Sequence, residues 1–125
     1  MGRSNMQTYQ NEVKAAHEYK VMDANGKPSV AGKRFHFIGA GGIGMSGLAK
    51  LLVKHKAIVA GSDQSATGVI DKLRQSGADI KIGHRADNLN PETDAVVISA
   101  AIKESNPELK LARQRKCKIY IIKKS

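Results

Sequence analysis

The chain has 125 residues, 41% of them hydrophobic, with 12 glycines, two phenylalanines and a formal net charge of +10. That length suits one compact domain rather than two, and the composition favours an α/β core of Ile, Val and Ala over an aromatic one. The single cysteine, Cys117, excludes an internal disulfide. No Cys/His spacing suits a metal, no apolar run is long enough to span a membrane, and the first residues carry neither a signal-peptide nor a myristoylation pattern, so a cytoplasmic protein without a metal site is expected.

The positive charge is unevenly placed. Residues 1–34 hold 6 basic and 3 acidic side chains, residues 35–102 hold 7 and 6, and residues 103–125 hold 8 and 2. A nucleic-acid surface would gather its basic residues on a groove-facing element with aromatic or base-reading neighbours. Here the excess lies mainly near the C-terminal end, so a solvated or partner-covered face is expected and nucleic acid is not an expected partner.

Residues 1–33 read as a polar leader, partly disordered or carrying one short helix on Tyr9, Val13, Ala16 and Lys20. The stretch Asp23-Ala24-Asn25-Gly26-Lys27-Pro28 reads as a turn. From Arg34 the pattern changes to short apolar runs alternating with helical stretches, as in βαβ units. Phe35 to Ile38 forms the first strand and Gly42 to His55 the first helix. Ala57 to Ala60 is the second strand, with Gly61, Ser62 and Asp63 at its carboxyl end. Val69, Ile70 and Leu73 lie on a second helix that Gly77 terminates. Asp79 to Ile82 is a third strand, and Ala95 to Ile98, four small or β-branched apolar residues, a buried fourth. Asn106, Pro107 and Glu108 open a third helix as cap, first position and acid near the positive end of the dipole. Ile119 to Ile122 is a fifth strand. The expected fold of residues 34–125 is α/β, a Rossmann-like three-layer domain with a mainly parallel sheet of about five strands.

The segment Gly39-Ala40-Gly41-Gly42-Ile43-Gly44 satisfies Gly-x-Gly-x-x-Gly where that string has meaning, directly after a strand and at the opening of a helix. An acid, Asp63, follows 19 residues after the last glycine at the end of the second strand. In this pattern Gly39 permits the tight turn, Gly41 removes the Cβ that would hold a phosphate away from the backbone, and Gly44 allows helix and strand to pack closely. Free amides at the helix start then face a diphosphate. Asp63 suits a sugar hydroxyl or the cap of the next helix, and His84 lies beyond the third strand on the expected ligand side. His36, alternating with core residues on the first strand, reads as a satisfied histidine at the core edge, and Cys117 as an ordinary half-buried thiol.

The stretch from Phe35 to Ala49, with Gly-Gly-Ile-Gly-Met-Ser-Gly at positions 41–47, resembles the opening of the Mur ligases, and within them the members that join L-alanine to UDP-N-acetylmuramate. Gly61-Ser62-Asp63, Gly77-Ala78, Gly83-His84 and the run from Ser99 to Glu108 extend the likeness over about residues 34–123. The resemblance implies a UDP-sugar site rather than a dinucleotide site, with Gly39, Ala40, Gly41, Gly42, Ile43, Gly44, Met45, Ser46, Asp63, His84 and Ser99 as the residues that bind UDP-N-acetylmuramate. In such ligases a separate central domain binds ATP and Mg²⁺ through a Gly-Lys-Thr/Ser loop and activates the sugar's carboxylate as an acyl phosphate. A third domain helps bring in the amino acid.

This chain contains no Gly-x-x-x-x-Gly-Lys-Ser/Thr, so no ATP site, bound cofactor or catalytic residue is assigned to it. The expectation is an N-terminal substrate-binding segment, inactive alone and working with the rest of the ligase in cis. The rival readings are an NAD-binding regulatory or dehydrogenase domain, which the loop and strand-end acid suit equally well, and a Rossmann unit without a ligand. Met45-Ser46-Gly47 and the loop from Ser99 to Pro107 favour the ligase, since dinucleotide binding requires neither.

Overall fold

The computed structural model describes residues 29–123. The leader helix expected on Tyr9, Val13, Ala16 and Lys20 lies outside the described residues, as does the Asp23–Pro28 turn. Within them the order is β1 (Arg34–Ile38), α1 (Met45–Lys54), β2 (Ile58–Asp63), α2 (Gly68–Ser76), β3 (Asp79–Ile82), a 3-10 turn (Ala86–Asn88), β4 (Ala95–Ser99), α3 (Pro107–Gln114) and β5 (Lys118–Ile122). All five strands are parallel and lie in the order β3-β2-β1-β4-β5. This is the expected Rossmann-like sheet.

The strands that pair on both sides carry the apolar runs. Phe35 to Ile38 and Ala95 to Ile98 are buried throughout, whereas the edge strands β3 and β5 are largely exposed or half-buried, as expected for a parallel sheet covered on both faces. One face packs Phe35, Phe37, Val59 and Val97 against Met45, Leu48 and Leu52 of α1 and Ile70 and Leu73 of α2. The other packs Ile38, Val96 and Ile98 against Leu109 and Ala112 of α3, with Leu89 beside the 3-10 turn. Packing also reaches back beyond Arg34. Val30 is buried, the Gly32 amide donates to the Lys56 carbonyl at 2.9 Å, and Lys33 accepts from Ile58 N at 2.8 Å.

Two boundaries differ by more than one residue from those expected from the sequence. The strand expected to end at Ala60 continues to Asp63, because Gly61 pairs with Phe37 and Ile80, and Ser62 with Ile38 and Lys81. Glycine weakens an isolated strand, but here it is required: a Cβ on Gly61 would overlap the Phe37 carbonyl. The helix expected from Gly42 begins only at Met45, since Gly44 takes φ 81° and caps the helix from outside the helical region. The other helix signals act as expected. Gly77 ends α2 with φ 114°, and the Asn106 side chain accepts from the Glu108 and Leu109 amides ahead of Pro107 at the first position.

Candidate functional site

From β1 the chain winds outward to β2 and β3, then returns to the other side of β1 to form β4 and β5. The loops leaving β1 and β4 therefore depart in opposite directions at the carboxyl edge and leave a crevice, the place where open parallel sheets bind ligands. The glycine loop follows β1 and the Ser99–Asn106 loop follows β4. They pack together: a side chain on Gly39 would lie 3.2 Å from the Ile102 Cδ1.

The glycine loop is held from below. Gly39 N and Ala40 N both donate to the Ser62 carbonyl, at 2.8 and 3.0 Å, and Gly39 turns the chain with φ 80°. Gly42 N donates back to Gly39 O at 3.0 Å, and the Met45 and Ser46 amides share the Gly42 carbonyl at 3.1 and 3.4 Å. The Ile43 and Gly44 amides have no acceptor among the described residues. Helix α1 has no side-chain cap and no acid in its first turn, so its positive end is uncompensated and suits an anion. Ile43 is 78% exposed above these amides. The Met45 side chain is fully buried in the core, leaving only its backbone at the site, while Ser46 is half-buried.

Gly41 is under a constraint beyond the one expected from the sequence. Its amide donates to Asp63 Oδ2 at 2.8 Å, and a Cβ there would lie 3.0 Å from that oxygen and 3.3 Å from Ile70 Cδ1. Its missing side chain makes room for Asp63 and α2, and the positive φ values of the loop fall at Gly39 and Gly44. Gly44 is needed for its backbone rather than for close packing, since a Cβ there would meet Ile122 at an ordinary 3.6 Å. Asp63 ties the loop to β2, its other oxygen accepting from Ser65 N at 3.2 Å. Ser99, half-buried at the end of β4, accepts from Ala101 N at 3.3 Å and shapes the facing loop.

The His84 side chain meets Ser62 rather than Asp63. Ser62 and Asp63 are consecutive in β2 and point to opposite faces, and it is Ser62 Oγ that meets His84 Nδ1, at 2.8 Å. Ser62 opens onto a buried polar cluster centred on Glu108, for which the sequence predicts only an acid facing the dipole at a helix start. The Glu108 side chain is fully buried and accepts from Ser62 Oγ at 2.8 Å, from His36 Nε2, from Arg85 N at 3.0 Å and from Asn88 Nδ2 at 3.1 Å. Burial pushes its pKa up. The hydrogen bonds from His36, Asn88 and Ser62 and the charge interaction with His36 outweigh that and hold it below the ordinary 4.5. Ser62, Asn88 and Glu108 escaped the sequence reading. The available signal was His36, a polar side chain inside an apolar strand, which requires a buried partner from elsewhere.

Residues 34–123 match the family model described as Mur ligase family, catalytic domain. The chain belongs to the Mur ligase family. It is 53% identical over 83 residues to UDP-N-acetylmuramate-L-alanine ligase of Clostridium beijerinckii, covering 66% of this chain and 18% of that protein. Among solved structures it is similar to UDP-N-acetylmuramate-alanine ligase from Thermotoga maritima, with 35% identity and a TM-score of 0.68 over 71% of this chain and 20% of that one. It is also similar to a murein peptide ligase from Psychrobacter arcticus, with 27% identity and a TM-score of 0.67 over 71% and 19%. The Mur ligase chain described here thus spans about a fifth of the length of these relatives. Among the described residues no helix is long and apolar enough to cross a membrane.

Proposed function

We propose that this chain is the UDP-N-acetylmuramate-binding N-terminal part of an ATP-dependent UDP-N-acetylmuramate-L-alanine ligase of peptidoglycan precursor synthesis, acting in the cytoplasm with the rest of the ligase in cis. The observation that carries the reading is the glycine loop of a Mur ligase family member, with the Ile43 and Gly44 amides unaccepted at the uncapped start of α1. A diphosphate seated there accepts charge-assisted hydrogen bonds worth about 1.5–3 kcal/mol each. Exposed Ile43 offers apolar surface beside it. In this reading Ser46, Ser99, Asp63 and His84 surround the remainder of the nucleotide and sugar.

The residues present do not fit ATP and Mg²⁺. The sequence has no phosphate loop, and among the described residues no group of three or more His, Cys, Asp or Glu side chains is placed to hold a metal. Activation of the sugar's carboxylate and attack by the amine of L-alanine are therefore assigned to other parts of the ligase, and this segment alone is proposed to be inactive. Its own task is to hold the UDP end so that the carboxylate is presented to them. Calorimetric titration of the chain with UDP, UDP-N-acetylmuramate and NAD tests the proposal. Either uridine ligand should bind more tightly than NAD, and tighter binding of NAD would favour the dinucleotide reading instead.

A further inference from the structure

Both oxygens of the buried Glu108 carboxylate are filled, and the donors are largely beyond choice. Oε2 accepts from a backbone amide, Arg85 N, and from an amide NH₂, Asn88 Nδ2. Oε1 accepts from Ser62 Oγ at 2.8 Å and from His36 Nε2. A serine hydroxyl has a single proton, and here Glu108 Oε1 receives it. Toward His84 Nδ1, also 2.8 Å away, Ser62 Oγ can then offer only lone pairs, so Nδ1 must carry the proton. Glu108 Oε2 lies 3.6 Å from the same nitrogen and its negative charge favours the same placement. In a neutral imidazole the other nitrogen is then an acceptor. His84 Nε2 has no partner among the described residues, and the buried orphan nitrogens are His36 Nδ1 and His55 Nε2 instead, so His84 Nε2 is open to solvent on a side chain that is 15% exposed.

We infer that Glu108, acting through Ser62, is a positioning residue that fixes His84 as its Nδ1–H tautomer and presents Nε2 as a hydrogen-bond acceptor at the carboxyl edge of the sheet. The ligand group read by His84 must then bring its own hydrogen. A diphosphate oxygen has none to give at neutral pH, whereas the imide N–H of a pyrimidine base and a sugar hydroxyl both do. Among such donors we assign to His84 one on the nucleoside, the part that UDP and UDP-N-acetylmuramate share, and to the glycine loop the phosphates. This inference rests on the UDP-sugar reading of the site for its ligand, and on the geometry of Glu108, Ser62 and His84 alone for its tautomer.

The test has two arms that fail separately. In the first, the full chain labelled with ¹⁵N histidine is examined by long-range ¹⁵N–¹H correlation, with His84 assigned by its loss in His84→Gln. The wild type should show His84 protonated at Nδ1, and Ser62→Ala should move it toward the Nε2–H form. Protonation at Nε2 in the wild type, or an unchanged tautomer in folded Ser62→Ala, would overturn the relay; the wild-type measurement needs no variant to fold. In the second arm UDP, 2′-deoxy-UDP and N3-methyl-UDP are titrated against wild type and His84→Ala, which has no side-chain acceptor. Loss of one donor group should weaken binding about tenfold in the wild type and far less in His84→Ala, and the sensitive analogue identifies the donor. Equal losses in both proteins would overturn the ligand role of His84. Failure of UDP to bind at all would fall on the proposed function, leaving the tautomer measurement to decide the relay.

Discussion

The two faces of the sheet are built on different principles. Beneath α1 and α2 the core is wholly apolar, with Phe37, Met45, Leu48, Leu52, Ile70 and Leu73 fully buried. Beneath α3 and the 3-10 turn, apolar Ile38, Val96 and Leu109 share the layer with His36, Ser62 and Glu108, all buried and joined by hydrogen bonds. The apolar face stabilises through area and close packing, which do not depend on direction. The polar face depends on every donor finding its acceptor, and such a network gains little in stability over an apolar core while holding its members in one arrangement. The molecule places that arrangement at the carboxyl edge, next to the crevice.

This contrast is open to direct attack. The largest effect should come from the apolar face: Phe37→Ala removes a fully buried ring and should cost about 3–5 kcal/mol, read as a fall in the denaturation midpoint. A cost near zero would mean that the α1 side is loosely packed. Next comes the polar face. Glu108→Gln sets an amide NH₂ against two of its four donors and should cost about 2–3 kcal/mol. Acid sharpens the same point. The native Glu108 pKa lies below its ordinary 4.5, so its contribution is fully present above that value and is lost as the pH falls through the lowered native one. Melting midpoints measured down through that acid range should decline for the wild type, with a shallower decline in Glu108→Gln. Equal slopes would show that the carboxylate does not carry the acid sensitivity. The smallest effect belongs to the helix that delivers Glu108: Asn106→Ala removes an acceptor for two amides and should cost about 1 kcal/mol in the same denaturation experiment.

The faces also differ in how far they can be read from sequence. The apolar face follows from local pattern, because strand runs, helical spacing and the Gly77 stop all lie within a few residues of what they determine. The Asn106-Pro107 helix start was legible for the same reason. The polar face was not. His36 and Glu108 are 72 residues apart and Ser62 and Glu108 are 46 apart, and no local spacing signals a partner at that range. Glu108 suits the positive end of a helix dipole whether it points outward or inward, so its place in the chain could not show that it fills the interior. Similarly, the glycine at position 61 read as the end of a strand, although burial against Phe37 makes it part of one. At the loop the positions were legible but one reason was incomplete: Gly41 is constrained by Asp63 and Ile70, so Gly41→Val would disturb the empty loop as well as exclude a phosphate.

The central claim is that the diphosphate of a UDP-sugar lies on the glycine loop, and backbone amide spectra report on it without any substitution. On titration of the ¹⁵N-labelled chain with UDP-N-acetylmuramate, the account predicts that the Ile43 and Gly44 amides, free of acceptors among the described residues, move furthest and downfield as they donate to phosphate oxygens. Gly41, already bonded to Asp63, should move less. Saturable binding that leaves Ile43 and Gly44 unshifted while amides elsewhere move would contradict the account.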